Sequence, residues 1–319
     1  MTFSHPLKSV AARAARLAVG TALGSALALS WATAPVAAQE APAVAAPATA
    51  TTADPALWVV RDADSTIYLF GTVHLLRPEV DWRSDKVDAA LAASDELWLE
   101  IADVDDQAAA MPLIQRYGLA PADQPLSSTL TEEDRAKLDA AAGAIGASAA
   151  AMEPFRPWLA ALQVSVAAIV RAGYDPGSGV DPKIKAAAVA AGKPVKGLET
   201  MEQQFGFFAN LPLETQVEFL RQALDGYEDA PTELDQMVDA WVRGDIDAID
   251  QIIVEDMKVE WGDVYEVLLV DRNADWTGQI QEMLEGSGTA FIAVGAAHLA
   301  GDDSVQAMLQ QQGVTVERQ

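Results

Sequence analysis

The chain has 319 residues, no cysteine, and 47 acidic against 21 basic side chains, which give a net charge of −26. Because so negative a surface repels phosphate groups, we expect neither a nucleic acid nor an anionic lipid surface as a partner. The lack of cysteine excludes disulfides and cysteine nucleophiles, so the fold must depend on an apolar core.

Residues 1–38 have the pattern of a signal peptide. Three basic residues precede a charge-free stretch rich in alanine and leucine, and small residues at 36–38 mark a cleavage site. An uncleaved anchor is the alternative, which the many Ala, Gly, Ser and Thr residues disfavour. We therefore expect an exported bacterial protein, periplasmic or secreted, whose mature chain starts near Gln39. Without the leader, 18 basic residues face 47 acidic ones, a net charge of −29.

Residues 39–56 are rich in alanine, proline and threonine and are typical of a flexible linker. A single domain is expected at 57–319. Its longest apolar run, from about Leu159 to Val170, is shorter than the roughly 18 residues of a membrane helix. We expect no membrane span in the mature chain.

The first elements of the domain are predicted to be strands. Residues 57–60 and 66–70 alternate around a polar turn and predict a β-hairpin. Ser84 begins a helix that reaches Ala93, and a further strand is expected at 96–101.

The middle of the domain is predicted to be mostly helical. Expected helices are one from Thr131, a long apolar one from Pro157 to about Ala172, one capped by Asp181 that ends at Ala191, and several from Thr200 to about Glu255. A short strand at 194–199 interrupts them.

The C-terminal part returns to alternating elements. A helix at 264–284 is expected to have a kink or a boundary near Arg272-Asn273. Strands at 290–294 and 314–317 flank a helix at 304–312. Strands at both ends with helices between them predict an α/β fold, in which a mixed central sheet joins N- and C-terminal strands and the helical middle forms a cap.

Both histidines that follow the leader end a Gly-x-x-His sequence just past an apolar strand. Gly71-Thr72-Val73-His74 follows the strand at 67–70, and Gly295-Ala296-Ala297-His298 follows the strand at 290–294. Open α/β sheets bind ligands at the carboxyl ends of their strands. Imidazole is the commonest metal ligand, so the two sequences predict a shared site.

Two glutamates also lie at predicted strand ends, Glu100 and Glu199. Two imidazoles and two carboxylates suit a divalent transition metal such as manganese, cobalt, iron or zinc. A carboxylate that is not a ligand could act as a general base. Glu100 could instead be the solvated end of its strand, and Glu199 a favourable charge at the start of the next helix.

Arg272 and Asn273 interrupt an apolar helical pattern, which is costly unless both are paired. In a functional site, Arg272 would clamp a substrate carboxylate or polarise a carbonyl, with Asn273 as a second donor. In a structural role, Arg272 would bridge Glu100 or Asp181. Trp158 is expected in the core.

Several enzyme classes are disfavoured by missing motifs. The chain has no His-Glu-x-x-His, no Gly-x-Ser-x-Gly and no phosphate-binding loop. A serine triad would have to use one of the two histidines with a serine that no motif marks.

Seven motifs occur in an order that resembles the TraB/GumN family (TraB/PrgY/GumN), which is related to the Tiki metallopeptidases. They are Leu69-Phe70-Gly71-Thr72-Val73-His74, Trp98-Leu99-Glu100, Arg156-Pro157-Trp158, Gly179-Val180-Asp181, Gly197-Leu198-Glu199-Thr200, Arg272-Asn273, and Val294 to Leu299 with Gly301. The resemblance extends from about Leu57 to Val316. It implies a fold similar to that of Tiki and erythromycin-esterase-like proteins.

The resemblance also implies a metal centre, with manganese or cobalt favoured and zinc or iron also suitable. His74 and His298 would be metal ligands, and Glu100 or Glu199 would be the acidic partner. Arg272 and Asn273 would line the site.

We therefore expect an exported metal-dependent hydrolase that acts on a peptide or protein substrate. Two alternatives stay open. One is a non-catalytic periplasmic protein that binds haem, another metal complex or a peptide; the other is an accessory factor in envelope polysaccharide export.

Overall fold

A computed structural model describes residues 53–103 and 105–319. The predicted signal peptide and most of the predicted linker lie outside the described residues. The end of that linker belongs to the fold: Ala53 is buried, and the N–H of Asp54 donates to the carbonyl of Val242 at 2.8 Å.

Within the described residues, one mixed sheet contains β1 (Leu57–Arg61), β2 (Ser65–Thr72), β3 (Glu96–Ile101), β4 (Val195–Glu199), β5 (Gly288–Gly295) and β6 (Val316–Arg318). The strand order is β4-β3-β5-β2-β1-β6. Strands β4, β3, β5 and β2 are parallel, whereas β1 is antiparallel to both β2 and β6. The sheet joins both ends of the domain, which confirms the predicted α/β class.

The α-helices are α1 (Asp85–Ala93), α2 (Gln107–Leu113), α3 (Glu132–Ala144), α4 (Ala149–Met152), α5 (Pro157–Arg171), α6 (Val180–Ala190), α7 (Met201–Ala209), α8 (Leu213–Gly226), α9 (Ala230–Val242), α10 (Ile246–Ile249), α11 (Glu255–Glu260), α12 (Gly262–Tyr265), α13 (Asp271–Leu284) and α14 (Val305–Gln311). Wider π-helical turns cover Ile114–Gly118, Asp250–Val254 and Glu266–Val270. No described helix is both long enough and apolar enough to cross a bilayer.

The sheet lies between two apolar layers, because side chains alternate between its faces. Phe70 and Phe291 point into the larger cluster, which the middle helices build around Trp158, fully buried as expected. Leu69 and Ile292 point to the opposite face, which α13 and α14 cover. The helical middle thus caps one face of the sheet, as predicted.

One predicted helix start is wrong. Helix α6 begins at Val180 with Gly179 at its N-cap, so Asp181 lies in the first turn and does not cap the helix. The carboxylate of Asp181 instead binds the side chains of Thr72, at the end of β2, and His74, just past it. The predicted kink near Arg272 corresponds to the π-helical turn Glu266–Val270, which ends just before α13.

Asp134 provides a pH-dependent link between α3 and α8. It accepts hydrogen bonds from the N–H of Thr131 at 3.0 Å and from Nη2 of Arg221 at 3.0 Å. Burial alone would raise the pKa of Asp134, but these partners lower it to about 2. Because the folded pKa lies below the ordinary 3.8, the stabilisation is complete above about pH 4 and is lost as the pH falls towards 2.

We expect Asp134→Asn to lower the free energy of unfolding by about 1–2 kcal/mol at pH 7, allowing for solvent around Arg221. The loss should shrink as the pH falls from about 4 towards 2, because the wild-type carboxyl also becomes neutral over that range. Urea unfolding at pH 7 and pH 2.5 measures this difference. Glu133→Gln, whose side chain is 79% exposed in the same helical turn, is the control and should change little at either pH. A deficit in Asp134→Asn that is equal at both pH values would contradict the expectation.

Candidate functional site

The carboxyl ends of the four parallel strands lie side by side at one edge of the sheet. Thr72 at the end of β2 pairs with Gly295 at the end of β5, and Glu199 at the end of β4 pairs with Ile101 at the end of β3. This register brings together the four residues that the sequence placed at strand ends: His74, Glu100, Glu199 and His298.

The two Gly-x-x-His loops pack directly against each other. A Cβ atom on Gly71 would lie 3.1 Å from Cα of Ala296, so the close approach of the loops favours glycine. The carbonyl of Gly71 also accepts a hydrogen bond from Nε1 of Trp241 at 2.8 Å, which ties the first loop to helix α9.

His74 is buried and held through one ring nitrogen. Its Nδ1 donates to Oδ2 of Asp181 at 2.6 Å, and Oδ1 of Asp181 accepts from the hydroxyl of Thr72 at 3.0 Å. Its Nε2 has no hydrogen-bond partner and lies 3.6 Å from Oε1 of Glu100. Burial lowers the pKa of His74, but Asp181 and then Glu100 outweigh burial and raise it to about 10.

His298 is buried in a different electrostatic setting. Its Nδ1 donates to Oδ1 of Asn273 at 2.6 Å, so its Nε2 accepts a hydrogen bond from Nη1 of Arg272 at 3.1 Å. The ring packs on Trp276, with 4.4 Å between the ring centroids. Burial and the neighbouring guanidinium both lower the pKa of His298 well below its ordinary value, which leaves this imidazole neutral.

Arg272 is the centre of the network and is only 2% exposed. Its Nε donates to Oε1 of Glu199 at 2.8 Å, and its Nη2 donates to Oε2 of Glu100 at 2.7 Å and to Oε2 of Glu199 at 3.0 Å. The guanidinium carbon lies 4.8 Å from the centre of the Trp276 ring. Such charge-assisted pairs offset the cost of burying the cation.

The pKa values of the two glutamates are shifted in opposite directions. Burial would raise the pKa of Glu100, but Arg272 and the nearby imidazoles hold it well below its usual range. Burial raises the pKa of Glu199 despite the same arginine. Nε2 of Gln204 donates to both carboxylates, at 3.0 and 3.1 Å, and the N–H of Gly295 donates to Oε1 of Glu100 at 2.7 Å.

Asn273 belongs to the network but has both amide atoms engaged. Its Oδ1 binds His298, and its Nδ2 donates to the carbonyl of Asp303 at 2.8 Å. Asn273 therefore orients the imidazole, and Arg272 is the member of the pair that faces the open space above the site.

Sequence reasoning missed three members of the network: Gln204, Trp276 and Asp181 as the partner of His74. Trp276 follows Arg272 by four residues, so the two share a helix face, and this spacing was a usable signal. Gln204 lies in an apolar helix whose neighbouring Gln203 caps the helix with Thr200. Gln204 was therefore a polar residue with no capping role in an apolar helix, which is a weaker signal of a buried network.

A pocket of about 910 Å³, part of it open to solvent, lies above the network. Its floor includes His74, Arg272 and His298, whereas Glu100 and Glu199 lie beneath and do not line it. Among the described residues, no three histidine, aspartate or glutamate side chains form a ready metal-binding group. Within the network, Oε1 of Glu100 lies 3.6 Å from Nε2 of His74 and 4.0 Å from Nε2 of His298.

The chain is similar to an uncharacterised protein of Treponema pallidum (strain Nichols), with 20% identity over 262 residues that cover 78% of each chain. No solved structure matches the chain, so the likeness to Tiki and erythromycin-esterase-like folds stays a prediction. The sequence profile of the TraB/PrgY/gumN family matches residues 56–318. The chain, with its two Gly-x-x-His loops on neighbouring strands, belongs to the TraB/PrgY/gumN family.

Proposed function

We propose that the chain is an exported metal-dependent hydrolase of the Tiki-like metallopeptidase type that cleaves a peptide or protein substrate. One observation carries the proposal: the buried Nε2 of His74 lacks a partner at the floor of the pocket and faces Oε1 of Glu100. Metal-binding histidines have this pattern, in which a carboxylate holds one ring nitrogen and leaves the other for the metal.

The donor set fits a divalent transition metal. Two ligands at about 2.1 Å from one ion lie roughly 3–4 Å apart, which agrees with the separations of 3.6 and 4.0 Å around Glu100 Oε1. His74, His298 and Glu100 would hold the ion, and His298 would have to exchange its hydrogen bond with Arg272. When bound, such a metal supplies a Lewis acid that polarises a carbonyl group and activates water. Manganese or cobalt is the first choice, and zinc or iron also suits these ligands.

The chain's own residues have separable roles in this proposal. Arg272 lines the pocket, and its Nη1 N–H, which His298 would release on binding the metal, stabilises negative charge that develops on a substrate carbonyl oxygen. Glu199 and Asn273 do not line the pocket; Glu199 positions Arg272, and Asn273 positions His298. Glu100 is the carboxylate shared by both imidazoles.

Metal content and peptide cleavage test the proposal. The chain from Gln39 to Gln319, without a histidine tag, should retain about one manganese or cobalt ion and cleave members of a peptide library. His74→Ala should lower metal retention by at least about tenfold. Gln216→Ala is the matched control, because Gln216 is fully buried and bonds only to backbone carbonyls away from the pocket. It should keep its metal. A wild-type protein that binds no divalent metal and cleaves nothing would refute the proposal.

Two glutamine variants separate the roles of the glutamates. Glu100→Gln should lose metal and cleavage together, because it removes the carboxylate that faces both imidazoles. Glu199→Gln should retain metal and lower kcat, because it loosens only the positioning of Arg272. Equal metal loss in both variants would assign both glutamates to the metal.

The apolar pocket above His74 also favours one alternative, a non-catalytic protein that binds haem or a similar metal complex. Haem titration tests it: an absorption band that appears in the wild type and is absent in His74→Ala would support binding without catalysis.

A further inference from the structure

The wall of the pocket is built from apolar side chains that stay partly exposed. Four of them come from α9 and the π-helical turn Asp250–Val254: Leu234, Met237, Ile252 and Ile253. Met257, Leu268 and Leu269 complete the wall at deeper positions and are buried. Partly exposed apolar side chains that converge on a cavity are a feature of ligand sites.

Two π-helical turns contribute to this wall. Asp250–Val254 carries Ile252 and Ile253, and Glu266–Val270 carries Leu268 and Leu269. A π turn inserts an extra residue into a helix, which shifts the side chains that face a neighbour and is frequent at functional sites. The turn Glu266–Val270 ends next to Arg272, so one helical segment supplies both the wall and the cation at the floor.

The charges around the pocket restrict what can enter it. The ionisable side chains among its lining residues are His74, His298 and Arg272 at the floor and Glu233 on the wall. The cationic groups therefore lie at the floor, and the wall offers an acidic group no cation. A charged group of either sign would lose its hydration against the aliphatic side chains, which is costly.

We propose that this pocket is a specificity subsite that binds an uncharged apolar side chain, of the size of leucine, methionine or phenylalanine, next to the bond that is cleaved. The inference rests on the proposed hydrolase function and names its substrate class. The apolar wall receives the side chain, and Arg272 at the floor faces the adjacent carbonyl.

Cleavage of matched peptides is the first test. Peptides that differ only in one residue beside the cleaved bond should show kcat/KM at least about tenfold higher for leucine than for alanine, since each buried methylene contributes roughly 10-fold or more. Aspartate should be the poorest. Met237→Lys should bring the ratio of leucine to alanine close to one. Val259→Lys is the control, because Val259 is 80% exposed and should leave the ratio unchanged.

Binding without catalysis is the second test, and it separates the two proposals. N-acetyl-leucinamide and N-acetyl-phenylalaninamide should bind the wild type in saturation-transfer NMR, N-acetyl-aspartamide should not, and Met237→Lys should abolish apolar binding. If Met237→Lys does not fold, Met237→Phe replaces it, because it keeps the wall apolar and narrows the pocket. Met237→Phe should weaken binding of the phenylalanine derivative most. If the apolar derivatives bind but no peptide is cleaved, the subsite is supported and only the hydrolase proposal is contradicted. Cleavage without side-chain preference, or apolar binding unchanged by substitution at Met237, overturns the subsite.

Discussion

Arg272→Met is expected to lower the free energy of unfolding by about 3–5 kcal/mol, the largest effect of any single substitution considered. Methionine fills a similar volume but leaves Glu100 and Glu199 buried beside each other without their shared cation. The same change removes the donor to Nε2 of His298. Removing one partner from a buried charged network lowers the free energy of unfolding, because the remaining charges stay desolvated.

The pH dependence of this loss has a defined sign. In the wild type, burial already raises the pKa of Glu199 above its ordinary 4.5 even with Arg272 present. Without the arginine, the pKa of Glu199 should rise further and the pKa of Glu100 should rise from its lowered value, so that the folded state binds more protons than the unfolded state. Stability then falls as the pH rises above about 5. The deficit of Arg272→Met should therefore be larger at pH 8 than at pH 5.

Chemical unfolding at both pH values, followed by tryptophan fluorescence, measures the deficit. Arg116→Met is the matched control, because its ion pair with Glu202 is exposed on both sides and should contribute less than about 1 kcal/mol. The double variant Arg272→Met/Glu199→Gln should recover part of the loss, since one uncompensated carboxylate becomes neutral. A deficit below about 1 kcal/mol would show that the network is not stabilising. A deficit that does not change with pH would show that the two carboxyls are not its source.

The arrangement of the strands could be predicted from local signals. Apolar runs that end in Gly-x-x-His marked the ends of β2 and β5, and parallel strands with helices between them align their carboxyl ends by topology. Local signals placed His74, Glu100, Glu199 and His298 at strand ends, but the adjacency of those strands comes from the structure. No distance between the rings could be derived.

The pairing within the site was not predictable from local signals. Asp181 precedes a proline at the start of a helix and has the local pattern of a cap, yet its partner His74 lies 107 positions away in the chain. The sequence offered Glu100 or Asp181 as the acidic partner of Arg272. The structure pairs it with Glu100 and Glu199. The pocket wall depends on π-helical turns, for which an apolar 3.6-residue pattern gives no warning.

Gly179→Ala is expected to have the second largest effect, although alanine is usually a mild substitution. A Cβ atom at position 179 would lie 2.1 Å from the backbone oxygen of His74 and 2.7 Å from its carbonyl carbon. Neither backbone atom can rotate away as a flexible side chain would. We expect a loss of about 3 kcal/mol in the free energy of unfolding, at the upper end for overpacking. The imidazole of His74 should also be displaced from Asp181.

Two readouts test this expectation. Urea unfolding measures the stability, and the NMR signal of the proton on Nδ1 of His74, which the short bond to Asp181 should shift far downfield, reports the pair. Gly278→Ala is the control, because a Cβ added there in helix α13 would meet no atom within 4 Å other than the adjacent backbone of its own helix. It should raise stability by about 0.5–1 kcal/mol, as alanine favours a helix over glycine.

The expected effect of Gly179→Ala comes from steric overlap of the added Cβ with the carbonyl group of His74, and not from backbone conformation. Gly179 has φ −54° and ψ 160°, which any residue can adopt, so alanine has no conformational penalty there. The N–H of Val180 donates to the carbonyl of Val73 at 3.0 Å, which fixes the start of α6 against the first Gly-x-x-His loop. Relief of the clash must therefore separate α6 from that loop, and with it Asp181 from His74. A Gly179→Ala variant with unchanged stability and an unchanged His74 signal would mean that the two segments are not held together as this contact requires.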